Sequence, residues 1–530
     1  MFATGWFSES PDHGGPLMVV AQGVPESVED VIGALTRAPV EQLDDLFPSL
    51  VEALWDDGAG TDLTLPATRA LMERVDVADA ARMPHIAVLL GLLAEVGPPL
   101  GAEVTASLTA DAGRFIALWR SASAGRPLSL SLTYLLAHLP DERARVLAAA
   151  TDAGIDADDR SRLDRALQRL DPARPVIGRA FPSPAAWDLD DAERAFDRTW
   201  IDALTPGEVK RHWDNDTETV LGHLGAKAYW AVRNGAAPVP VDADSVPART
   251  PRAPAGGADV LRRHAAAFRC PRCSGALGFS GGAARCAGCA TGYALDGGIL
   301  DLTSELGEAA DRGADLLFRL AGIATMGFFY EARARPNFLR LAGSNWGGLV
   351  TPALEDAYIA GHVRPAAGPV LDLAAGAGRW TSVLAGAVGA DRVIALDLAL
   401  PMLTALRGRL PEIPAVVSNA RRLPFGDGEL GAVLCWNALQ AFPADAAAAV
   451  AEVGRCLRPG GTFTVLTYRD SPDPVYRYFV RRHHFPQHAD GLRLFAPGEI
   501  DAWLDGAGLE VRDRWEPGTF TILTAERPAA

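Results

Sequence analysis

Through the first 234 residues apolar positions recur at three- and four-residue steps, as at Ile86, Leu89, Leu90 and Leu93, which places them on one face of an α-helix. The same period, punctuated by Gly, Pro and Asp, predicts helices over 40–54, 67–75, 84–96, 102–120, 128–139, 141–153 and 158–170. Residues 1–234 are therefore expected to form an all-α domain. From 235 to 262 the period gives way to Ala, Pro and Val, with Pro238-Val239-Pro240 and Pro251-Arg252-Ala253-Pro254. Such a stretch buries too little surface to offset chain entropy and reads as a linker. A cysteine-bearing module at 263–303 and a helical lead-in at 304–366 follow. Residues 367–530 then alternate short apolar runs with helical segments, the pattern of an α/β sheet with helices on its faces.

Within the helical region, residues 130–140 (Leu-Ser-Leu-Thr-Tyr-Leu-Leu-Ala-His-Leu-Pro) run into another helix and resemble a HEAT-type repeat, whose paired helices stack into a solenoid. A HEAT-like solenoid and an irregular bundle both fit the spacing. Composition adds little to the fold: 48% apolar and 22% charged residues are ordinary for globular domains, and 530 residues suffice for several of them. Charge says more about partners. The formal net charge is −16, and Lys210 and Lys227 are the only lysines among 50 basic residues. An acidic chain repels polyphosphate unless its positive charge is gathered locally, which disfavours a dedicated nucleic-acid binder. Residues 1–6 show no basic region leading into an apolar run, and stretches such as 86–93 are too short to span a bilayer. A cytoplasmic protein without a membrane partner is expected.

Cys270-Pro271-Arg272-Cys273 and Cys286-Ala287-Gly288-Cys289 form C-x2-C-x12-C-x2-C. Two tight turns with this spacing can surround one zinc ion with four thiolates, and no coordination position is left for substrate. The expectation is a structural zinc ribbon. Cys435 and Cys456 fall in a predicted strand and helix and read as core residues.

In the last region, Pro369-Val370-Leu371-Asp372-Leu373-Ala374-Ala375-Gly376-Ala377-Gly378-Arg379-Trp380 is a buried strand entering a glycine-bearing turn and a helix. A second strand ends at Asp397, about twenty positions on, where a carboxylate can accept both hydroxyls of a ribose. Val416 to Phe425 supplies a short strand with a polar end, 430–436 a buried fourth strand, and Leu457-Arg458-Pro459-Gly460-Gly461 a turn into a fifth.

Taken in that order, these elements resemble the class I S-adenosylmethionine (SAM)-dependent methyltransferases, which implies a Rossmann-like domain with a seven-stranded sheet. By that resemblance Asp372 and the turn through Ala374, Gly376 and Gly378 would cradle the methionine part of SAM. Asp397 would bind the ribose, Leu398 and Met402 would pack near adenine, Asn419 and Ala420 would meet its amino edge, and Trp436 and Asn437 would face the reacting centre. Ala374 stands where the family commonly has glycine, and Asn419 where it commonly has aspartate; the latter removes charge assistance at the adenine. The order of cysteine module, lead-in and catalytic fold is also similar to the 23S rRNA guanine-N1 methyltransferases. It is similar as well to a set of plant and bacterial methyltransferases that share Phe328-Phe329-Tyr330-Glu331-Ala332-Arg333.

Methyl transfer to oxygen or nitrogen requires alignment and, for some acceptors, a base. Candidate bases are His483 and His484, after the fifth strand, and Tyr330 in the lead-in. Arg469, Arg477, Arg481 and Arg482 add positive charge to the same insertion. Three functions stand open: methylation of a small molecule in a specialised bacterial pathway, methylation of rRNA or tRNA, and methylation of a protein or peptide gripped by the helical domain.

Overall fold

The computed structural model describes residues 24–75, 78–175, 191–239, 259–303, 340, 343–484 and 492–529. The linker at 240–258, the lead-in at 304–339 and Tyr330 with it lie outside the described residues.

The N-terminal helices are α1 (Val28–Arg37), α2 (Leu43–Leu54), α3 (Thr64–Arg74), α4 (Met83–Ala94), α5 (Leu100–Ala110), α6 (Ala112–Ser121), α7 (Pro127–Leu136), α8 (Arg143–Asp152), α9 (Ala157–Leu167), α10 (Asp191–Asp202) and α11 (Pro206–Asn234). One short antiparallel hairpin, β1 (Trp55–Asp56) with β2 (Ala59–Gly60), interrupts the otherwise helical region. The continuous helix expected at 102–120 breaks at Asp111, which ends α5 and begins α6 with φ −103° and ψ 11°. Every residue of α4 from Met83 to Leu93 is buried, and so is every residue of α7 from Ser129 onward. The 29-residue α11 packs on α4, α7 and α9. Simple stacking, in which each repeat touches only its neighbours, does not produce helices enclosed on all sides; the HEAT-like expectation gives way to a bundle around α4 and α7. A capping box at Thr205 and Glu208 starts α11, and Gly235, at φ +61°, ends it.

Among the described residues the second half is built on one eleven-stranded sheet. After α12 (Asp259–Arg262) its strands are β3 (Leu277–Ser280), β4 (Ala283–Cys286), β5 (Gly292–Asp296), β6 (Ile299–Asp301), β7 (Val370–Leu373), β8 (Val393–Asp397), β9 (Ala415–Val417), β10 (Leu430–Trp436), β11 (Leu457–Tyr468), β12 (Glu510–Trp515) and β13 (Phe520–Glu526). They lie in the order β12-β13-β11-β10-β7-β8-β9-β6-β5-β4-β3. The core β11-β10-β7-β8-β9 is parallel, and β13 runs antiparallel between β11 and β12. Residues 367–530 contribute seven of these strands, β7 to β13, and the sheet runs on beyond them because β6 pairs in parallel with β9, Leu300 opposite Val416. The cysteine module thereby continues the sheet and covers what would be an open edge.

Two further contacts fix this join. Phe268 bridges to Phe425, with ring centroids 5.2 Å apart. The buried guanidinium of Arg407 donates to the carbonyls of Gly297 at 3.0 Å and Ile413 at 2.5 Å. Helices α13 (Pro352–His362), α14 (Arg379–Val388), α15 (Leu400–Arg409), α16 (Ala446–Cys456), α17 (Pro474–Arg481) and α18 (Glu499–Gly506) complete the second half. Of these α17, directly after β11, joins the other core: Val475, Tyr478 and Phe479 are buried among the residues of α2, α4, α7 and α11.

Candidate functional site

Parallel strands bring the carboxyl ends of β7, β8, β10 and β11 to one side of the sheet, the side on which α/β folds bind ligands. At the first of these ends the backbone turns through three left-handed residues, Ala374 (φ +58°), Gly376 (φ +54°) and Gly378 (φ +91°). Gly378 is required: a Cβ there would meet Leu406 Cγ at 2.8 Å. Ala374 is not relieved in this way, and its left-handed backbone costs roughly 1 kcal/mol relative to glycine.

Asp397 ties the turn to the end of β8. Its Oδ2 accepts the Gly376 N–H at 2.8 Å, and its Oδ1 accepts the Ala399 N–H at 2.8 Å. Burial raises its pKa, and the amides of Ala399, Gly376 and Leu398 oppose that rise. Each carboxylate oxygen retains a second lone pair, so the group can accept two further donors such as a vicinal diol.

Asp372, inside β7 and 2% exposed, accepts the Thr381 hydroxyl at 2.5 Å. Burial pushes its carboxyl up to about 7, with the Thr381 bond lowering it and the Asp397 charge raising it. This has a signed consequence. Above its folded pKa the carboxylate is held where burial disfavours charge, so ligand-free stability falls as pH rises from about 4 through 7. A cationic ligand needs the ionised form and must displace a proton below pH 7. Affinity for such a ligand is expected to weaken by up to about tenfold per pH unit below 7. Calorimetric titration between pH 5.5 and 8.5 should show that slope, and Asp372→Asn should flatten it; the same slope in both proteins would refute the assignment.

Beyond β8, Leu398 is 50% exposed and Met402 on α15 is buried. The end of β9 meets Asp397 through the Ser418 N–H, 3.1 Å from the Asp397 carbonyl. Asn419 turns its Oδ1 to the Arg421 amide at 2.8 Å, while Ala420 packs on the apolar core. At the end of β10, Trp436 donates its Nε1–H to Glu355 on α13 at 2.9 Å. Asn437 adopts φ +57°, accepts the Gln440 amide at 2.9 Å and is 4% exposed, yet its Nδ2 is buried without a partner. Backbone strain and an orphaned donor thus coincide in one residue.

Sequence reasoning missed Glu355 and Thr381. The signal for Glu355 was available: Thr351 caps α13 by accepting the Leu354 N–H, and the single acidic residue of the first turn is the one buried, at 1% exposure. Thr381 carried no separate signal, because a threonine one turn into a helix is usually a packing residue.

The histidine pair lies against α11. His484 Nε2 is 2.7 Å from Glu218, and its N–H donates to Thr219 Oγ1 at 3.0 Å. Arg482 pairs with Glu95 at 2.9 Å and Arg481 with Asp57 at 2.8 Å. Arg477 turns back onto the Ser471 and Pro472 carbonyls, and Arg469 onto Gly518. The insertion therefore spends its positive charge largely on the helical domain and on its own loops.

At the far end of the sheet the Sγ atoms of Cys270, Cys273, Cys286 and Cys289 all lie within 4.8 Å of one another, with Cys270–Cys289 at 3.7 Å and Cys273–Cys286 at 3.4 Å. Tetrahedral thiolates at about 2.3 Å from zinc would stand about 3.8 Å apart, so the cluster fits such an ion. A Cβ on Gly275 would meet Cys286 Sγ at 2.9 Å, and the Gly288 and Cys289 amides donate to Cys286 Sγ at 3.3 and 3.4 Å, as thiolate-stabilising groups do.

Comparison with known proteins bears on the first of these places. Residues 370–461 match the family model described as a methyltransferase domain. An uncharacterized chloroplastic methyltransferase of Arabidopsis thaliana is 28% identical over 214 residues, covering 38% of this chain and 58% of that protein. A demethylmenaquinone methyltransferase of Mycolicibacterium vanbaalenii is 34% identical over 153 residues, covering 27% of this chain and 64% of its own. The chain thus spans less than two thirds of the length of either relative. A solved structure of a putative methyltransferase from Bacillus halodurans aligns over 33% of this chain and 99% of its own, at 18% identity and a TM-score of 0.29. The chain carries a methyltransferase domain in its second half.

Proposed function

We propose that the protein is a SAM-dependent methyltransferase acting on oxygen or nitrogen of a small molecule, with the donor held at the carboxyl ends of β7, β8 and β9. The observation that carries this reading is Asp397, whose two oxygens hold the Gly376 and Ala399 amides and keep lone pairs for the ribose. Asp372, with the turn from Ala374 to Gly378, would take the methionine portion. Leu398, Met402, Asn419 and Ala420 would surround adenine. Asn437 would offer its unpartnered Nδ2–H towards the reacting centre, beside Trp436.

Bound there, SAM supplies an electrophilic sulfonium methyl. The chain's own part is alignment: the Asp397 tether fixes the glycine turn, and Glu355 fixes the Trp436 ring through Nε1. We assign His484, engaged by Glu218, to holding the end of α17 rather than to taking a proton. The demethylmenaquinone methyltransferase relative supports a small-molecule acceptor, and the acidic net charge of −16 weighs against RNA. Among the described residues no helix is long and apolar enough to cross a membrane. Incubation with methyl-labelled SAM and a cell extract, fractionated into RNA, protein and metabolites, is expected to label metabolites. Label in RNA would transfer the reading to a nucleic-acid acceptor, and absence of both label and SAM binding would end it.

We further propose that the four cysteines hold one structural zinc. The ion would secure β3–β6, and β6 lies on β9, whose end meets Asp397 through Ser418. One zinc per chain is expected by elemental analysis. Chelation, or Cys286→Ser, should remove it and weaken S-adenosylhomocysteine (SAH) binding as well. Metal loss with unchanged SAH affinity would show that the ribbon is uncoupled from the donor site.

A further inference from the structure

Arg162, His223 and Lys227 of the helical domain, Arg340 of the lead-in and His483 after α17 act on one another as a cluster of basic groups that neither the donor site nor the zinc ribbon uses. On α11, His223 sets its ring edge-on to Trp346 with centroids 5.9 Å apart. Burial first, and then the charges of Arg162, Lys227, His483 and Arg340, hold its pKa well below the ordinary range. Lys227 is answered by Asp159 at 2.6 Å and Asp156 at 3.3 Å. Arg340 makes no such pair: its Nε and Nη2 are buried and have no hydrogen-bond partner. Burial and the charge of Arg162 disfavour its cation, and what favours it comes from Asp156 and Asp159, both already engaged by Lys227. A buried, unpaired guanidinium is costly unless something negative joins it.

The cluster is connected to the donor side of the sheet. Four residues beyond Arg340, Ser344 Oγ accepts the Thr519 hydroxyl at 2.6 Å, next to Phe520 at the start of β13, opposite Tyr468 at the carboxyl end of β11. Asn345 clasps Val350 through both of its side-chain atoms, at 2.6 and 2.9 Å. The chain then enters α13, whose Glu355 holds Trp436.

We propose that Arg340, with Arg162, His223 and His483 around it, binds an anionic group, a carboxylate or phosphate, on the acceptor molecule, and that the acceptor is therefore recognised where the helical domain meets the lead-in and the segment after α17. This rests on the methyltransferase reading for the word acceptor, but not for the anion site itself. A planar guanidinium forms paired hydrogen bonds to either group, which would give Nε and Nη2 the acceptors they lack. Isolation of the first half is avoided in the test because α17 belongs to its core.

The full chain is titrated calorimetrically with inorganic phosphate and, separately, with acetate at constant ionic strength, and in parallel with SAH. One anion site is expected, weakened about tenfold or more in Arg340→Gln and partly retained in Arg340→Lys, with SAH affinity unchanged in both. Because the substitution removes an unpaired buried charge, Arg340→Gln should also unfold at a higher temperature than the parent without phosphate, and phosphate should no longer raise its midpoint. Equal phosphate and acetate binding in parent and Arg340→Gln, or none in either, overturns the anion site. Loss of anion binding in Arg340→Gln with no SAH binding in any variant upholds the site and overturns the methyltransferase reading instead.

Discussion

Asp397→Ala is expected to weaken SAH binding by at least about a hundredfold while leaving the chain folded. Two hydrogen bonds from a ribose to a charged acceptor contribute roughly 3–4 kcal/mol together, and each 1.4 kcal/mol is a factor of ten. The loss is larger than the two ribose bonds alone, because the same oxygens hold the Gly376 and Ala399 amides; without them the turn that receives the methionine portion is no longer fixed to β8. Asp397→Asn separates the two effects. It keeps one acceptor oxygen and loses the charge, so it should fall between the parent and the alanine variant. The measurement is calorimetry with SAH at pH 8, where Asp372 is ionised, its pKa lying near 7. Binding by Asp397→Ala within about threefold of the parent, under 1 kcal/mol, would place the adenosine elsewhere and remove the main support for the donor site.

What the sequence disclosed and what it withheld divide along the range of the interactions. The strand–turn–helix from Val370 to Val388 was legible because its signals are local: a buried apolar strand, then a turn dense in small residues. Asp397 could be placed because the spacing between adjacent strand ends is nearly fixed in this kind of unit. The strain at Ala374 was not legible, since a small side chain gives no sign that its backbone sits at φ +58°. The cysteine spacing announced a four-thiol cluster, yet nothing in it announced that β6 would lie on β9; strand pairing across more than a hundred residues leaves no local pattern beyond the apolar run of Ile299 and Leu300. The choice between solenoid and bundle in the helical domain stayed open for a related reason. A three-to-four-residue period tells which face of a helix is buried, not against what, and α4 and α7 are apolar around most of their circumference. That feature points to enclosure rather than to solenoid stacking.

The same limit explains the fate of the basic insertion after β11. From the sequence, His483 and His484 stood as candidate bases and Arg481 and Arg482 as added positive charge of open role, because the partners of Arg481, Arg482 and His484 are distant in the chain. Those partners are Asp57, Glu95 and Glu218, 266 or more positions away in the chain. Asp473, which caps α17, likewise meets Tyr229 at 2.7 Å and Arg233 at 3.0 Å. The helical domain is thus built onto α17, and through it onto the carboxyl end of β11.

The strongest consequence of that arrangement concerns Glu95, and Glu95→Ala is expected to destabilise the whole chain by about 3–5 kcal/mol, the usual cost of removing one partner from a buried ion pair. Its side chain is 1% exposed and pairs with Arg482 at 2.9 Å. It also accepts the Tyr134 hydroxyl at 2.5 Å and the Tyr478 hydroxyl at 3.0 Å, and lies 3.3 Å from His138 Nε2. Alanine would leave Arg482 buried without its counter-charge and two phenols without an acceptor. Burial works against the Glu95 charge, but Arg482, His138 and Tyr134 overcome it and hold the carboxyl at about 2. A depressed carboxylate stabilises the fold above its unfolded value of 4.5, and the contribution, about 3 kcal/mol, fades as pH falls towards 2. Denaturant unfolding at pH 7 and at pH 3 should therefore show the gap between parent and Glu95→Gln narrowing in acid. The companion change Arg482→Met should recover part of what Glu95→Gln loses, since the two charges are then removed together. If Glu95→Ala unfolds within about 1 kcal/mol of the parent, α17 is held by its apolar face alone, and the charge network plays no part in joining the helical domain to the sheet.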